Sequence, residues 1–376
     1  MAKKIKIGFL DIAKKESGGI YQYSQSILDS LNNRSEYEVI VYSNKRIPID
    51  DNFKYRNLSY KKGLLKYINL IGIYIKYFFK IKPKIYKDID IFISPFPALA
   101  PHFFLKSKFI FTLHDLQEEH YPKNFTKKEI FTRRLRNYLL LKKCLFVICE
   151  SSSVKHDIIK FYKVDSKKIA VIPSPPPKSI FTDQRDGQKA SVIAKYSLNK
   201  EYIFYPAQFW PHKNHLNMMK AIKILKKHHP NILLVLTGSE RFLYQEIFNK
   251  IEELGINNNI LHIGNVPYED LISIFKNAKM LVMPTMFESI SIPIYEAFCF
   301  NVPVVCSNVC GLPEQCGEAA IFFNPQDPKD IAEKVQSVID NHFLIKKLIN
   351  NGTKIINERT HDAFLAQLQI EINLRI

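Results

Sequence analysis

What this sequence lacks narrows its possibilities first. Its six cysteines are scattered with no CxxC pair among them, which argues against both a zinc ribbon and a disulfide framework and fits reduced thiols. Cys306, Cys310 and Cys316 come closest to ligand spacing, but Cys306 closes an apolar run, and no metal role is expected there. No G-x-G-x-x-G follows the first apolar run, so a doubly wound dehydrogenase is not expected. Long hydrophobic runs are missing too. "LLKYINLIGIYIKYFF" is broken by two lysines and is too short to cross a bilayer. The opening "MAKKIKIGFLDIA" has only a brief apolar run before Asp11, unlike a signal peptide, so a cytoplasmic location is expected.

Acidic residues are absent from residues 54–87, where ten basic side chains mix with Tyr, Phe, Ile and Leu. Of the 54 Lys and Arg and 36 Asp and Glu, residues 1–200 hold 38 and 18, leaving 16 and 18 for residues 201–376. The excess of positive charge therefore sits in the first half. Such a field attracts polyanions. The segment 54–87 reads either as an amphipathic stretch on an anionic membrane surface or as a domain helix with a solvated basic face.

What is present is a regular alternation. Short β-branched or aromatic runs ("KIKIGFL", "YEVIVYS", "IDIFISP", "KFIFTLHD", "CLFVICES", "KIAVIPS", then "YIFYPAQ", "NILLVLTGS", "NILHIGN", "MLVMPT", "VPVVCSN") are separated by helix-period stretches. This predicts parallel sheets covered by helices. A chain of 376 residues with 46% hydrophobic side chains suits two such domains. The proline-rich and polar break at residues 173–191 separates them. The expected architecture is α/β: two doubly wound Rossmann-like domains, residues 1–180 and 181–360, facing one cleft, with residues 361–376 a helix packing back on the first. Ligands of such sheets bind at the carboxyl ends of the strands.

One stretch after a strand carries chemistry. In "FESISIPIYEAF", Glu288 follows the strand "MLVMPT" and Glu296 lies one turn into a helix with Pro293 in its first turn. Between them the amides of a positive helix terminus form a site for phosphate. A diphosphate flanked by hydroxyl-bearing sugars would find an anion site between two hydroxyl acceptors. A carboxylate at Glu288, set among apolar residues, needs a partner, and a sugar hydroxyl supplies one.

This E-x7-E element resembles the donor-binding signature of the family 4 retaining glycosyltransferases, which have the GT-B fold. The resemblance implies that Glu288 contacts the transferred sugar and that Glu296 holds the ribose hydroxyls. Backbone amides around Ser289, Ile290, Ser291 and Ile292 would face the diphosphate and sugar. The likeness continues along residues 18–327. "GGIYQYSQSIL" is similar to the family's N-terminal glycine loop, with Gly18 and Gly19 near the donor diphosphate or the acceptor. "FTLHDL" resembles the segment whose histidine, here His114, lies beside the reacting sugar. "YPAQFWPHKNH" stands in place of the phosphate-clamping loop, with Lys213 on the donor phosphates. "HIGNVPYEDL" resembles the base-binding loop, with Gly264, Asn265 and Val266 near the nucleobase, and "GLPEQCGEAAIFFNPQD" closes the series.

Two departures stand out. Gln208 takes the place of the arginine that usually accompanies Lys213, and Ser289 and Ser291 stand where glycines are common. The resemblance implies a retaining hexosyltransferase using a GDP- or UDP-linked sugar, with a mannose-type sugar the first guess. The acceptor would be lipid-linked or a growing polysaccharide, in surface glycan biosynthesis of the O-antigen or capsule kind. No cofactor, no essential metal and no nucleic acid are expected, and the basic first half would face the acceptor at the membrane. "DID" at residues 88–90 precedes its strand and reads as polar strand-start residues rather than a metal site. His212 and His215 read as packing and capping residues. The rival from another class is a basic protein binding nucleic acid or another anion on a degenerate scaffold.

Overall fold

A computed structural model describes residues 4–11, 13, 19–31, 34, 36–43, 53–57, 88–98, 108–177, 180 and 189–375. The chain divides into two compact units. Unit 1 is Met1–Pro175 together with His361–Ile376, and unit 2 is Pro176–Thr360. The division falls within "PSPPP", a few residues before the expected boundary at 180, because neighbouring prolines cannot continue either unit's hydrogen-bonded elements.

Unit 1 is built on a parallel sheet of seven strands: β1 (Ile5–Asp11), β2 (Tyr37–Ser43), β3 (Lys54–Asn57), β4 (Ile91–Ser94), β5 (Lys108–Thr112), β6 (Val147–Cys149) and β7 (Ile169–Val171). Their spatial order is β3-β2-β1-β4-β5-β6-β7, with β1 paired to both β2 and β4. Side chains alternate across the sheet as a period of two requires. Ile7, Phe9, Ile91 and Ile93 face one layer, with Tyr23, Ile27 and Leu28 of helix α1 (Gly19–Leu31). Leu10 and Phe92 face the other, with Leu140 and Leu141 of α2 (Lys127–Lys143) and Val154 and Ile158 of α3 (Ser152–Tyr162). Gly8 is required on that second face, where an added Cβ would stand 2.4 Å from the Phe92 ring. Thr126 and Glu129 start α2 with a reciprocal capping box, and Ser151 caps α3.

The C-terminal helix, His361–Asn373, belongs to unit 1. It adds Phe364, Leu365, Leu368 and Ile372 to the layer that holds α1. Ser30 Oγ bonds His361 Nδ1 at 2.8 Å, Arg34 pairs with Asp362, and Arg375 donates to the Lys167 carbonyl at 2.8 Å.

The strand β3, "KYRN", contains no apolar run, and the alternation of the sequence does not reveal it. It is an edge strand held by charge, with Lys54 on Glu38 at 2.8 Å and Arg56 donating to Tyr42 at 3.1 Å and paired with Asp88. Residues 54–57 are thus strand rather than part of an amphipathic stretch, and residues 58–87 lie outside the described residues. The carboxylates of "DID" sit at the amino ends of strands and meet the chain's own donors. Asp90 accepts the Lys6 amide at 2.8 Å, and Asp88 pairs with Arg56.

Unit 2 has six parallel strands, β8 (Tyr202–Pro206), β9 (Leu233–Thr237), β10 (Ile260–His262), β11 (Met280–Met283), β12 (Val304–Ser307) and β13 (Ala320–Phe323), in the order β10-β9-β8-β11-β12-β13. The helices used below are α4 (His215–Leu225), α5 (Tyr268–Asn277) and α6 (Ile292–Cys299). One continuous core joins both faces of this sheet. Among the described residues no helix is long and apolar enough to cross a membrane.

Candidate donor and acceptor sites

The predicted residues of unit 2 lie just beyond the carboxyl ends of β8, β10 and β11. After β8 the chain makes a single tight turn at Pro211–Lys213, ended by Asn214 in the left-handed region at φ 61°. Asparagine tolerates that conformation. Its side-chain amide donates to the Pro284 and Pro325 carbonyls, both at 2.8 Å. The His212 carbonyl receives the Met286 amide at 2.7 Å and the Thr285 hydroxyl at 3.1 Å. The loops after β8 and β11 are thereby sewn together, and the stitching brings Lys213 onto Glu288 as an ion pair.

This pair corrects one expectation. Glu288 already has a partner within the chain, because opposite charges that are each about four-fifths buried stabilise one another better than either is solvated. An ammonium has three donors, so Lys213 can keep Glu288 and still present hydrogens to a phosphate. Burial first, and the charge of Lys213 second, push the flanking His212 down to about 3. His215, packed 4.7 Å from both Tyr205 and Phe209 ring centroids, falls to about 3 for the same leading reason. Both are neutral at pH 7, which leaves Lys213 as the cation of this turn.

The α6 terminus carries a second correction. Gln315 Nε2 donates to the Ser291 carbonyl and its Oε1 accepts the Ser291 amide, both at 2.8 Å. Ser291 N–H is therefore spent inside the protein, and the amides of Ser289, Ile290 and Ile292 are the ones left without a partner among the described residues. Gly311 N–H also braces the Glu288 carbonyl at 3.3 Å. Neither contact was legible in "GLPEQCG", where no role fell to Gln315. Ser291 is buried, its hydroxyl unbonded, and Ser289 is nearly so. Glu296, 3% exposed, is pushed up to about 7 by burial, against a hydrogen bond from Tyr268 of α5.

Gln208 is exposed, and its Oε1 accepts from Ser239 N–H at 2.9 Å and Ser239 Oγ at 2.8 Å. Gly238 makes this possible: at φ 127° its missing Cβ would lie 2.9 Å from the Ala207 carbonyl. Gly238 N–H donates to the Gly264 carbonyl at 3.0 Å, which ties the Gly264, Asn265 and Val266 loop to the same place.

In unit 1, His114 follows β5 with both ring nitrogens engaged. Nδ1 lies 2.6 Å from Glu150 Oε2 and Nε2 lies 2.9 Å from the Pro95 carbonyl. Burial opposes a charge on this ring, yet the Glu150 carboxylate and the Pro95 carbonyl outweigh it and raise the pKa. With both nitrogens facing oxygen atoms, the ring has no free nitrogen. Tyr23 packs edge-on against it at 4.7 Å and bonds Thr112 Oγ1 at 2.8 Å. Gly19 is exposed at the start of α1, and Gly18 lies outside the described residues.

Comparison with known proteins agrees with this geometry. The model of Glycosyl transferases group 1 matches residues 188–355, and that of Glycosyltransferase Family 4 matches residues 17–175. The chain is 26% identical over 227 residues to the O-antigen chain mannosyltransferase RfbU of Salmonella typhimurium, covering 60% of each chain. It is 28% identical over 258 residues to O-antigen chain mannosyltransferase B of Escherichia coli, covering 65% of each. The matched part thus spans under two thirds of these relatives' lengths. A crystal structure of Anabaena Alr3699/HepE with UDP and glucose superposes with a TM-score of 0.74 at 16% identity, over 98% of this chain and 99% of that one. Two family models matched in order, one on each parallel sheet, establish that the chain belongs to the family 4 glycosyltransferases and has the GT-B fold.

Proposed function

We propose that the protein is a retaining hexosyltransferase that takes a sugar from a GDP- or UDP-linked donor, a mannose-type sugar first, and transfers it to a lipid-linked or growing polysaccharide acceptor in surface glycan synthesis. The observation that carries this reading is the Lys213–Glu288 ion pair beside the unpartnered amides of Ser289, Ile290 and Ile292, at the head of the helix bearing Glu296. Those groups match a diphosphate next to a sugar on one side and a ribose on the other. The O-antigen mannosyltransferases among the relatives support the class of acceptor and favour mannose.

Lys213 and the amides stabilise the departing diphosphate, and Glu288 orients the hexose through its hydroxyls. The resemblance gives His114 of unit 1 a further catalytic role. The acceptor proton passes to a phosphate oxygen as the sugar leaves through an oxocarbenium-like state, so no carboxylate base is required. Asp88 and Asp90 are engaged by Arg56 and the Lys6 amide, which supports a reaction independent of divalent metal. The basic first half supports a site of action at an anionic membrane surface, on its cytoplasmic side.

The test is nucleotide release from a panel of GDP- and UDP-hexoses, GDP-mannose first, with and without EDTA, followed by NMR of the product anomer. Turnover of at least one donor in EDTA, with the anomeric configuration kept, is expected. No turnover of any donor, or an inverted product, would overturn the reading.

A further inference from the structure

One buried carboxylate of unit 1 has no hydrogen-bond partner among the described residues. Asp11 is the last residue of β1, in register with Ser43 of β2, and is 2% exposed. Among the described residues, neither of its carboxylate oxygens has a hydrogen-bond partner. The other buried acids of the unit differ: Glu150 meets His114, Asp157 meets His120 at 2.7 Å, and Glu118 meets Arg133 at 3.3 Å. Asp11 is the one carboxylate among the described buried residues with both oxygens unsatisfied.

Its position is informative. The carboxyl end of a parallel sheet is where doubly wound folds take their ligands. Asp11 shares that edge with Pro95, Thr112, His114 and Glu150, which follow or end β4, β5 and β6. Tyr21, in the first turn of α1, lies within the field of its charge: its phenol is made less acidic by burial first and by Asp11 second. Burial alone pushes the Asp11 carboxyl up to about 6. A carboxylate kept dry without donors weakens the free protein, and a residue that weakens the fold at a ligand edge has the signature of a group awaiting its ligand.

We propose that Asp11 is the hydroxyl-binding residue of a sugar acceptor site in unit 1, its two oxygens accepting hydrogen bonds from neighbouring hydroxyls of a pyranose. A pyranose supplies two adjacent donors at the separation a carboxylate can span, and its apolar face suits an aromatic ring such as that of Tyr21. Among the described residues no further His, Cys, Asp or Glu joins Asp11 to make a metal site. The inference rests on unit 2 being the donor-binding unit.

Asp11→Asn in the full chain tests it, with methyl α-D-mannopyranoside, methyl α-D-glucopyranoside, methyl α-D-galactopyranoside and methyl N-acetyl-α-D-glucosaminide as acceptor probes. The parent is expected to glycosylate at least one of them. The variant is expected to melt no lower than the parent at pH 7 and to need at least tenfold more of that glycoside for half-saturation, with kcat within threefold. Equal KM values, a variant less stable than the parent, or a parent that glycosylates none of the four would overturn the proposal. If no nucleotide sugar is turned over at all, the donor reading fails by itself. Asp11 is then tested by saturation-transfer NMR with the same glycosides, where binding to the parent and its loss in D11N is the expected result and equal signals are the contrary one.

Discussion

The two units share a parallel α/β plan but treat the charges at their ligand-facing edges in opposite ways. Unit 2 pairs the larger polar side chains of its site internally and leaves backbone amides open: Lys213 holds Glu288, Gln315 clamps Ser291, and Ser239 occupies Gln208, while the amides of Ser289, Ile290 and Ile292 have no partner among the described residues. Unit 1 locks Glu150 onto His114 and leaves another carboxylate, Asp11, without a hydrogen-bond partner among the described residues. The contrast extends to composition, since the excess of Lys and Arg lies almost wholly in residues 1–200. A preorganised set of donors suits a ligand of fixed charge such as a diphosphate. An unsatisfied acceptor beside locked charges suits a neutral, hydroxyl-rich ligand bound one group at a time.

The widest difference between the units should appear on removing residues 361–376. The C-terminal helix buries Phe364, Leu365, Leu368 and Ile372 in the core of unit 1. At about 1.5–3 kcal/mol per apolar side chain the loss is roughly 6–12 kcal/mol, comparable to the whole stability of a domain. Among the described residues, the core of unit 2 holds no side chain of this helix. The expected outcome in differential scanning calorimetry is loss of one transition and retention of the other, with unit 2 amides still protected from hydrogen exchange. Two retained transitions would show that the helix is dispensable.

The next effect is on the charge pair of unit 2. Lys213→Ala and Glu288→Ala should each lower kcat/KM by about 10²–10³, or about 2–4 kcal/mol. The double variant should lose much less than the product of the two, because each single change leaves a partly buried partner unmatched. Independent, multiplicative losses would mean that the two residues act on separate parts of the donor.

Glu296 and Asp11 sharpen the comparison through pH. Both carboxyls are raised by burial, Glu296 from 4.5 to about 7 and Asp11 from 3.8 to about 6. The folded state then holds a proton that the unfolded chain has released, so stability falls as pH rises from the unfolded value to the folded one. For Glu296 that window runs from 4.5 to about 7 and is worth about 3 kcal/mol. Denaturant unfolding of Glu296→Gln should show a flatter pH dependence there than the parent, with the largest gain above pH 7. A parallel pair of curves would place Glu296 as a carboxylate already satisfied by donors. In unit 1 the sign reverses for His114. Its raised pKa gives stability that is full below the ordinary histidine value and is lost as pH rises through the folded one. Glu150→Gln should lower the imidazole pKa seen by ¹⁵N NMR, and an unchanged titration would remove Glu150 from its support.

Much of this was legible in the sequence, and the remainder has physical reasons for being hidden. Parallel runs such as "IFIS" and "LLVLT" are apolar on both faces and announce themselves. By contrast β3, "KYRN", is a charged edge, and β13, "AIFF", is short and directly follows a turn that ends at Ala319. Asp11 reads as the breaker of an apolar run, whereas it is itself the last residue of β1. The pairing of Lys213 with Glu288 joins residues 75 positions apart, and only the parallel β8–β11 neighbourhood creates it. Gln315 was hidden for the same reason, because its clamp on Ser291 spans two loops that meet only in the fold.

The smallest expected effect concerns Gln208, which stands where the family's resemblance expects arginine. Its carbonyl oxygen accepts two hydrogen bonds from Ser239, and an arginine, having no acceptor, would surrender both. Against that loss of about 1 kcal/mol per bond stands a second cation beside Lys213 for a diphosphate. The two contributions are of similar size and opposite sign, so Gln208→Arg should change donor affinity by less than tenfold in calorimetric titration. A much tighter donor would show that phosphate charge, not the position of the Ser239 loop, limits binding in unit 2. A much weaker one would show that Gln208 serves chiefly to hold that loop, and through Gly238 the Gly264 turn, in place.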